Sequence, residues 1–185
     1  MSRNRALRHH IFSSLKPVSE ATFADLLLYE QPTKYIVADT EYSDNKNLTP
    51  VLTANKAFIL GYTDEIDGIY RKGACIIFDD FTLDCKLVDF PFKVKSSAIK
   101  ILTTKTSVNL RYVFEYLKFL NLHTEEHKRH YITEIEPMSI PMPSEKTIES
   151  IANLFSQLDM RMQNAERKLQ ILKEEKAFYL NSLFI

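Results

Sequence analysis

The chain has 185 residues, 45% hydrophobic and 26% charged, a balance that predicts a packed domain and excludes wholesale disorder. Its 24 basic and 24 acidic residues cancel, so no global positive charge indicates nucleic acid, although local patches are not described by net charge. Two cysteines, Cys75 and Cys85, are too few for a disulfide framework or a four-cysteine zinc site, and no apolar run reaches the ~18 residues that cross a bilayer. We therefore expect a reduced, cytoplasmic protein with no membrane partner.

Residues 1–137 show the pattern of short strands and turns. Their apolar runs are rich in β-branched and aromatic residues, and turn-forming sequences such as Asp67-Gly68 and Phe90-Pro91 separate them. A helix is predicted over 110–120, with Asn109 as its N-cap, and a shorter one over 23–28. Strands are predicted at 34–38, 57–61, 74–78, 86–88, 92–94, 99–102 and 132–135.

The charged residues of this first part are unevenly distributed. Between Glu20 and Asp84 there are five basic against twelve acidic residues, whereas between Lys86 and Tyr131 there are nine basic against four acidic. The basic stretch can supply donors for phosphates and base edges, although alternating, solvated lysines on an ordinary strand would give the same pattern. For phosphates we nominate Lys93, Lys95, Lys100 and Lys105, and for base edges Ser96, Ser97, Tyr62 and Arg111.

No complete catalytic or metal-binding motif is present. His123 and His127 would share a helical face, but Thr124 stands where the zinc-protease motif needs a glutamate. Asp79 and Asp80 lack both calcium-loop spacing and a nuclease lysine motif in the same domain, so we expect them to bond turn backbone or a neighbouring lysine. We predict no catalysis, metal or cofactor on this chain.

Prolines divide the sequence. Pro137, Pro141 and Pro143 prevent a helix interior and predict an extended connector at 138–143. Residues 144–185 then read as one helix, with Ser144 as its cap and Glu145 at the positive end of its dipole.

Apolar residues follow one another along this helix at alternating spacings of three and four. Such a helix would be about 60 Å long, and a domain of ~140 residues has a radius of gyration of only about 14 Å. The helix therefore needs a second long helix, unless it folds back on its own domain. The seam, interrupted only by Lys176, consists of Ile148, Ile151, Phe155, Leu158, Met162, Ala165, Leu169, Leu172, Tyr179 and Leu183. The fold class is α+β: a mixed α/β domain followed by one long C-terminal coiled-coil helix.

Five segments in fixed order, 32–37, 49–54, 58–63, 77–82 and 90–98, resemble the target-recognition domains of type I restriction–modification specificity subunits. Residues 140–184 resemble that family's helical region, with its proline-rich entry and Leu-Phe end. The resemblance implies that residues 1–137 read a few base pairs of double-stranded DNA. It also implies that the helix sets the spacing and docks methyltransferase (modification) subunits. S-adenosylmethionine would then bind those partners, and ATP-driven, Mg2+-dependent cleavage would belong to a restriction subunit.

Family members usually carry two recognition domains and two helices, whereas this sequence has one of each. It is expected to be either a half-subunit or a fragment. An antiparallel homodimer, or pairing with another specificity chain, would restore the usual layout and place the domains at most about 18 base pairs apart. Two rival hypotheses are a coiled-coil scaffold that does not read DNA, and a solitary nuclease or methyltransferase fragment.

Overall fold

The computed structural model describes residues 3–55, 57–126 and 128–183, and within them nine short strands form three sheets. The strands are β1 (Ser19–Thr22), β2 (Leu27–Glu30), β3 (Thr49–Leu52), β4 (Ile59–Thr63), β5 (Cys75–Asp79), β6 (Cys85–Val88), β7 (Lys93–Val94), β8 (Ile99–Thr104) and β9 (Ser139–Met142). The α-helices are α1 (Arg3–Ser13), α2 (Phe23–Leu26), α3 (Leu110–Leu120) and α4 (Glu145–Leu183). The predicted α+β class with a long terminal helix is confirmed.

A four-stranded antiparallel sheet, in the order β2-β8-β5-β6, lies at the centre. A second sheet has the order β4-β3-β7, in which β3 and β7 run parallel. The third sheet pairs β1 with β9, so that Ser19 lies opposite Met142 although the two residues are far apart in the sequence.

The central sheet is covered on both faces. Successive side chains of a strand point to opposite faces, and all five residues of β5 are buried. Ile76 and Phe78 pack into a core with α1, α3 and the start of α4, whereas Cys75 and Ile77 pack into a second core shared with β3 and β7. Cys75 and Cys85 are buried free thiols, and burial raises the pKa of each to about 12.

Helix α3 has the predicted limits and runs back along the sheet. The side chain of Asn109 accepts from the backbone N–H of Arg111, and Asn121 ends the helix in the left-handed region at φ 49°. The helix packs against β5 and β6 of the central sheet.

The first quarter of α4 belongs to the domain. Ile148, Ile151, Ala152 and Phe155 are buried in the helix-side core. The buried carboxylate of Glu115 on α3 pairs with Arg8 of α1 at 2.7 Å and with Arg111 at 2.7 Å. Arg111 also pairs with Asp159, which ties α4 to α3.

From Met160 onwards, α4 projects from the domain core, although Asn4 of α1 still contacts the Met162 sulfur at 3.3 Å. Every residue from 160 to 182 is exposed, and no helix in the described ranges is apolar enough over its length to cross a membrane. We call residues 160–183 the rod. The side chain of Leu183, a predicted seam residue, lies outside the described part of the chain.

The segment 138–143, predicted to be an extended connector, contains a strand that packs in the core. Residues 139–142 form β9, and Ile140 is fully buried. Ser144 caps α4 as predicted, because its Oγ accepts from the N–H of Thr147 at 3.3 Å. The domain therefore continues through this segment into the helix.

Two predicted strands are helical turns. The segment at 34–38 starts as a 3-10 turn, Thr33–Tyr35, and only Ile36 bridges to Val94. The strand predicted at 132–135 is wrong, because Tyr131–Ile135 is a π-helical turn. A buried carboxylate, Asp80, binds the backbone N–H groups that open this turn.

Candidate nucleic-acid interface

The parallel strands β3 and β7 end at the same side of the domain. The N–H of Lys95, just past β7, donates to the carbonyl of Leu52 at 3.1 Å. The loop at 95–98 therefore lies beside the turn that follows β3. We call residues 53–55, 95–98 and Arg129 the loop edge.

Three of the predicted DNA-binding residues lie together on this edge. Lys95, Ser96 and Ser97 are all exposed. A serine turn shapes the loop, since Ser96 Oγ accepts from the N–H of Ala98 at 3.4 Å. One cation and two hydroxyls are thus presented to solvent on a short loop anchored between two buried strands.

Asp80 joins the loop edge to the segment that follows α3. Its N–H donates to the carbonyl of Ala98 at 3.0 Å. Its Oδ1 accepts from the N–H groups of His130 and Tyr131 at 3.0 and 2.8 Å. Since Asp80 is only 1% exposed, it holds two chain segments in fixed positions from beneath the surface.

Arg129 is a candidate that the sequence reading missed. Its guanidinium lies 3.4 Å from Asp80 Oδ2 and 3.4 Å from the carbonyl oxygen of Ser97. It also stacks over Phe81, 5.5 Å from the ring centroid, and its side chain is 49% exposed. The basic pair Lys128-Arg129 is the signal for it in the sequence.

Two nominated lysines do not reach the surface. Lys93 is 3% exposed, and its ammonium binds Glu65 at 2.8 Å and the carbonyl of Asp67 at 2.7 Å. Hydrogen bonding from Lys93 holds the pKa of Glu65 below its usual value. Lys100 is 2% exposed and binds Asp80 at 3.2 Å and the hydroxyl of Tyr29 at 2.9 Å.

Their burial corrects the phosphate role expected for Lys93 and Lys100. Strands β7 and β8 have packed neighbours on both faces, so an alternating lysine there is buried and paired instead of solvated. The predicted bond between the Asp79-Asp80 pair and turn backbone or a neighbouring lysine is confirmed. Asp79 Oδ1 accepts from the N–H groups of Phe81 and Thr82, and Asp80 pairs with Lys100.

The remaining nominated residues lie elsewhere. Lys105 follows the far end of β8, about 20 Å from the loop edge at about 3.3 Å per residue, and donates to the carbonyl of Ala24. Arg111 is held by Glu115 and Asp159. Tyr62 is half-buried near the end of β4 that lies away from the loop edge, where its backbone pairs with Ser43. These three residues do not share a surface with the 95–98 loop.

The histidine-rich segment shows no metal site among the residues described. His130 is buried, and its Nδ1 lies 2.8 Å from Glu134. His123 is exposed and bonds the carbonyl of Asn121, while His127 lies outside the described residues. Hydrogen bonding from His130 lowers the pKa of Glu134.

Comparison with known proteins gives one strong sequence relative. No protein-family model matches the chain. The specificity subunit of the type I restriction enzyme EcoR124I/EcoR124II from Escherichia coli is 47% identical over 125 residues, 64% of this chain and 31% of that protein. The chain is similar to type I specificity subunits. The resemblance inferred from the sequence motifs is thereby confirmed, and the chain spans about a third of that relative's length.

Three solved structures share the fold. The type I S subunit from M. genitalium matches 92% of this chain and 50% of its own, with a TM-score of 0.67 and 13% identity. The HsdS subunit from Thermoanaerobacter tengcongensis covers 89% and 45%, with a TM-score of 0.56 and 12% identity. A chain from a type I R-M system covers 89% and 46%, with a TM-score of 0.59 and 11% identity. In each case this chain corresponds to about half of the longer protein.

Proposed function

We propose that this chain recognises DNA sequence as the specificity subunit of a type I restriction–modification complex. The observation that carries the proposal is the 47% identity to a type I specificity subunit, and the shared fold supports it. In this proposal the chain acts in the cytoplasm and provides the DNA-sequence specificity of the complex. Methyltransferase subunits, and a restriction subunit where one is present, supply the chemistry together with S-adenosylmethionine, ATP and Mg2+.

Within this function, we assign the DNA contacts to the loop edge. Lys95 and Arg129 are exposed cations suited to phosphates, and Ser96 and Ser97 can donate to or accept from base edges. Arg129 already has its guanidinium at the surface, held by two long contacts of 3.4 Å. Exchanging these for a phosphate would therefore cost little.

Replacing Lys95 and Arg129 together by alanine is expected to weaken binding to all DNA sequences. Each lost phosphate contact should reduce the salt slope of log K by about 0.9, so the pair should reduce it by about two. The measurement is a salt titration of DNA affinity. Lys105→Ala is the matched control, because it removes one lysine at the opposite end of β8. An unchanged slope in the double variant, or an equal loss in the control, would reject the loop edge.

We further propose that the rod pairs with the rod of a second copy. Its seam exposes Met162 by 49%, Leu169 by 54%, Leu172 by 52% and Tyr179 by 63%, a stripe that an isolated helix would leave in water. A two-fold dimer would require the two half-sites to be inverted repeats. The DNA target would then be an interrupted palindrome.

Light scattering of the purified chain tests the dimer. We expect a dimer at micromolar concentration, and a monomer after Leu169→Asp with Leu172→Asp, because buried unpaired charges would break the seam. Gln163→Asp with Gln170→Asp is the matched control, since it adds the same charge at positions outside the seam. A monomeric unmodified chain would indicate pairing with a different specificity chain. A dimer without sequence-dependent DNA binding would favour the scaffold hypothesis.

A further inference from the structure

One buried carboxylate serves two cations beside the loop edge. Asp80 Oδ2 lies 3.2 Å from the ammonium of Lys100 and 3.4 Å from the guanidinium of Arg129. Among the described residues, neither cation forms an ion pair with another carboxylate. Two positive charges thus share one negative charge. The excess cation is the one nearer to solvent, because the side chain of Arg129 is 49% exposed and that of Lys100 is 2% exposed.

Lys100 holds the carboxylate independently of Arg129. Its ammonium also donates to the hydroxyl of Tyr29 at 2.9 Å and lies 4.4 Å from the centroid of that ring. Asp80 Oδ1, on the other side, accepts from the N–H groups of His130 and Tyr131. Leaving a buried charge without a partner is costly. Because Lys100 remains as a partner, Arg129 can turn from Asp80 to another anion without that cost.

The guanidinium of Arg129 is placed at the surface without being tightly held. Its contacts with Asp80 Oδ2 and the Ser97 carbonyl oxygen are both 3.4 Å, longer than the roughly 2.7–2.9 Å of most charged hydrogen bonds. Its central carbon lies over the ring of Phe81, 5.5 Å from the centroid. Phe81 is itself fixed, because its N–H donates to Asp79 Oδ1 at 2.9 Å. A contact with the ring positions the guanidinium while its N–H groups stay free for phosphate oxygens.

We propose that Lys100 and Phe81 are positioning residues for a phosphate site at Arg129. Lys100 neutralises Asp80, so that the guanidinium is free to bind a phosphate, and Phe81 supports the guanidinium at the loop edge. The inference rests on the proposed DNA contacts and adds two residues that act through Arg129. It gives Lys100 an indirect part in binding, in place of the direct phosphate contact that its burial excludes.

Lys100→Met tests the neutralising role. In this variant Asp80 keeps only Arg129 of its two cations, so moving Arg129 to a phosphate would leave a buried carboxylate unpaired. We expect the salt slope of log K to fall by about 0.9, the value of one phosphate contact, and the affinity to fall about tenfold at about 0.1 M salt. Adding Asp80→Asn removes the carboxylate that retains Arg129 and should restore the slope.

Lys93→Met is the matched control. It also removes a buried ammonium and lowers the net charge by one, as Lys100→Met does. Its partner carboxylate, Glu65, binds the N–H groups of Ala38 and Asp39, on a different segment from Arg129. The salt slope of this variant should therefore equal that of the unmodified chain.

Phe81→Leu tests the support in a chain that keeps both buried charges. Leucine is apolar but has no aromatic face, so the affinity should fall about threefold. Phe81→Tyr keeps the ring and should bind like the unmodified chain. In an Arg129→Ala background, neither Lys100→Met nor Phe81→Leu should lower the affinity or the slope further, because both act through the guanidinium.

Fluorescence anisotropy of a labelled, mixed-sequence duplex titrated with the full chain at several salt concentrations measures these slopes, and urea unfolding shows that each variant is folded. An unchanged slope in folded Lys100→Met, an equal loss in Lys93→Met, or a further loss in the Arg129→Ala background would overturn the inference and leave DNA recognition intact. If Lys100→Met does not fold, the Phe81 variants decide, and equal binding by Phe81→Leu and the unmodified chain overturns it. An unmodified chain that binds no duplex would overturn the proposed function and the inference with it.

Discussion

Replacing Asp80 by alanine is expected to lower the free energy of unfolding by about 3–5 kcal/mol, because it leaves the buried ammonium of Lys100 without its partner. Lys100 is 2% exposed and pairs with Asp80 at 3.2 Å. The substitution also removes the carboxylate that accepts from the buried N–H of Tyr131 at 2.8 Å, whereas the N–H of His130 keeps a second acceptor, the backbone carbonyl of Asp80 at 3.2 Å. A loss of this size is a large part of the stability of an ordinary domain.

Urea unfolding measures this loss. Asp89→Ala is the control, because Asp89 is an exposed carboxylate just after β6, and it should change stability by less than about 0.5 kcal/mol. Combining Asp80→Asn with Lys100→Met removes both charges together and should recover part of the stability. If Asp80→Ala unfolded at the same urea concentration as the control, the buried pair would not hold the loop edge in place.

Replacing Phe155 by alanine should destabilise the domain by about 3–5 kcal/mol, through lost burial and the cavity left behind. Phe155 is 1% exposed and lies in the helix-side core, with the guanidinium of Arg8 5.4 Å from its ring centroid. Leu169, two heptads further along the same seam, is 54% exposed. Leu169→Ala should therefore leave the isolated domain unchanged and weaken only the dimer.

Thermal unfolding at several protein concentrations separates these two roles. Phe155→Ala should lower the Tm at every concentration, including dilutions at which the dimer has dissociated. Leu169→Ala should lower the Tm only where the unmodified chain is dimeric, because association stabilises the folded state by mass action. Equal, concentration-dependent effects of both changes would show that Phe155 faces the second helix rather than the domain.

Short-range patterns in the sequence predicted much of the fold. The limits of α3, its Asn109 cap and the cap of α4 at Ser144 follow from interactions within one helical turn. The strand at 99–102 was placed in the same way. Helix α1 and strands β1, β2 and β3 were not predicted, and the helix predicted over 23–28 ends at Leu26, where β2 begins. These strands have only four residues each, and they are ordered by partner strands elsewhere in the chain. Ser19 of β1, for example, pairs with Met142.

The candidate interface was predictable only in part. A basic loop containing Lys95, Ser96 and Ser97 is visible in the sequence, whereas Arg129 joins it through Asp80, about fifty residues earlier in the chain.

By itself, the sequence determined the family resemblance, the α+β class and the existence of a long heptad helix, because motifs and periodicity are local properties. Only the tertiary structure decided which charges face solvent and which part of the seam is free. Lys93 and Lys95 are two residues apart, yet one is buried against Glu65 and the other is exposed beyond the strand end. Phe155 and Leu169 share one seam, yet one is buried in the domain and the other lies open on the rod. Both differences arise because burial depends on which elements pack against each face, and those elements come from distant parts of the chain.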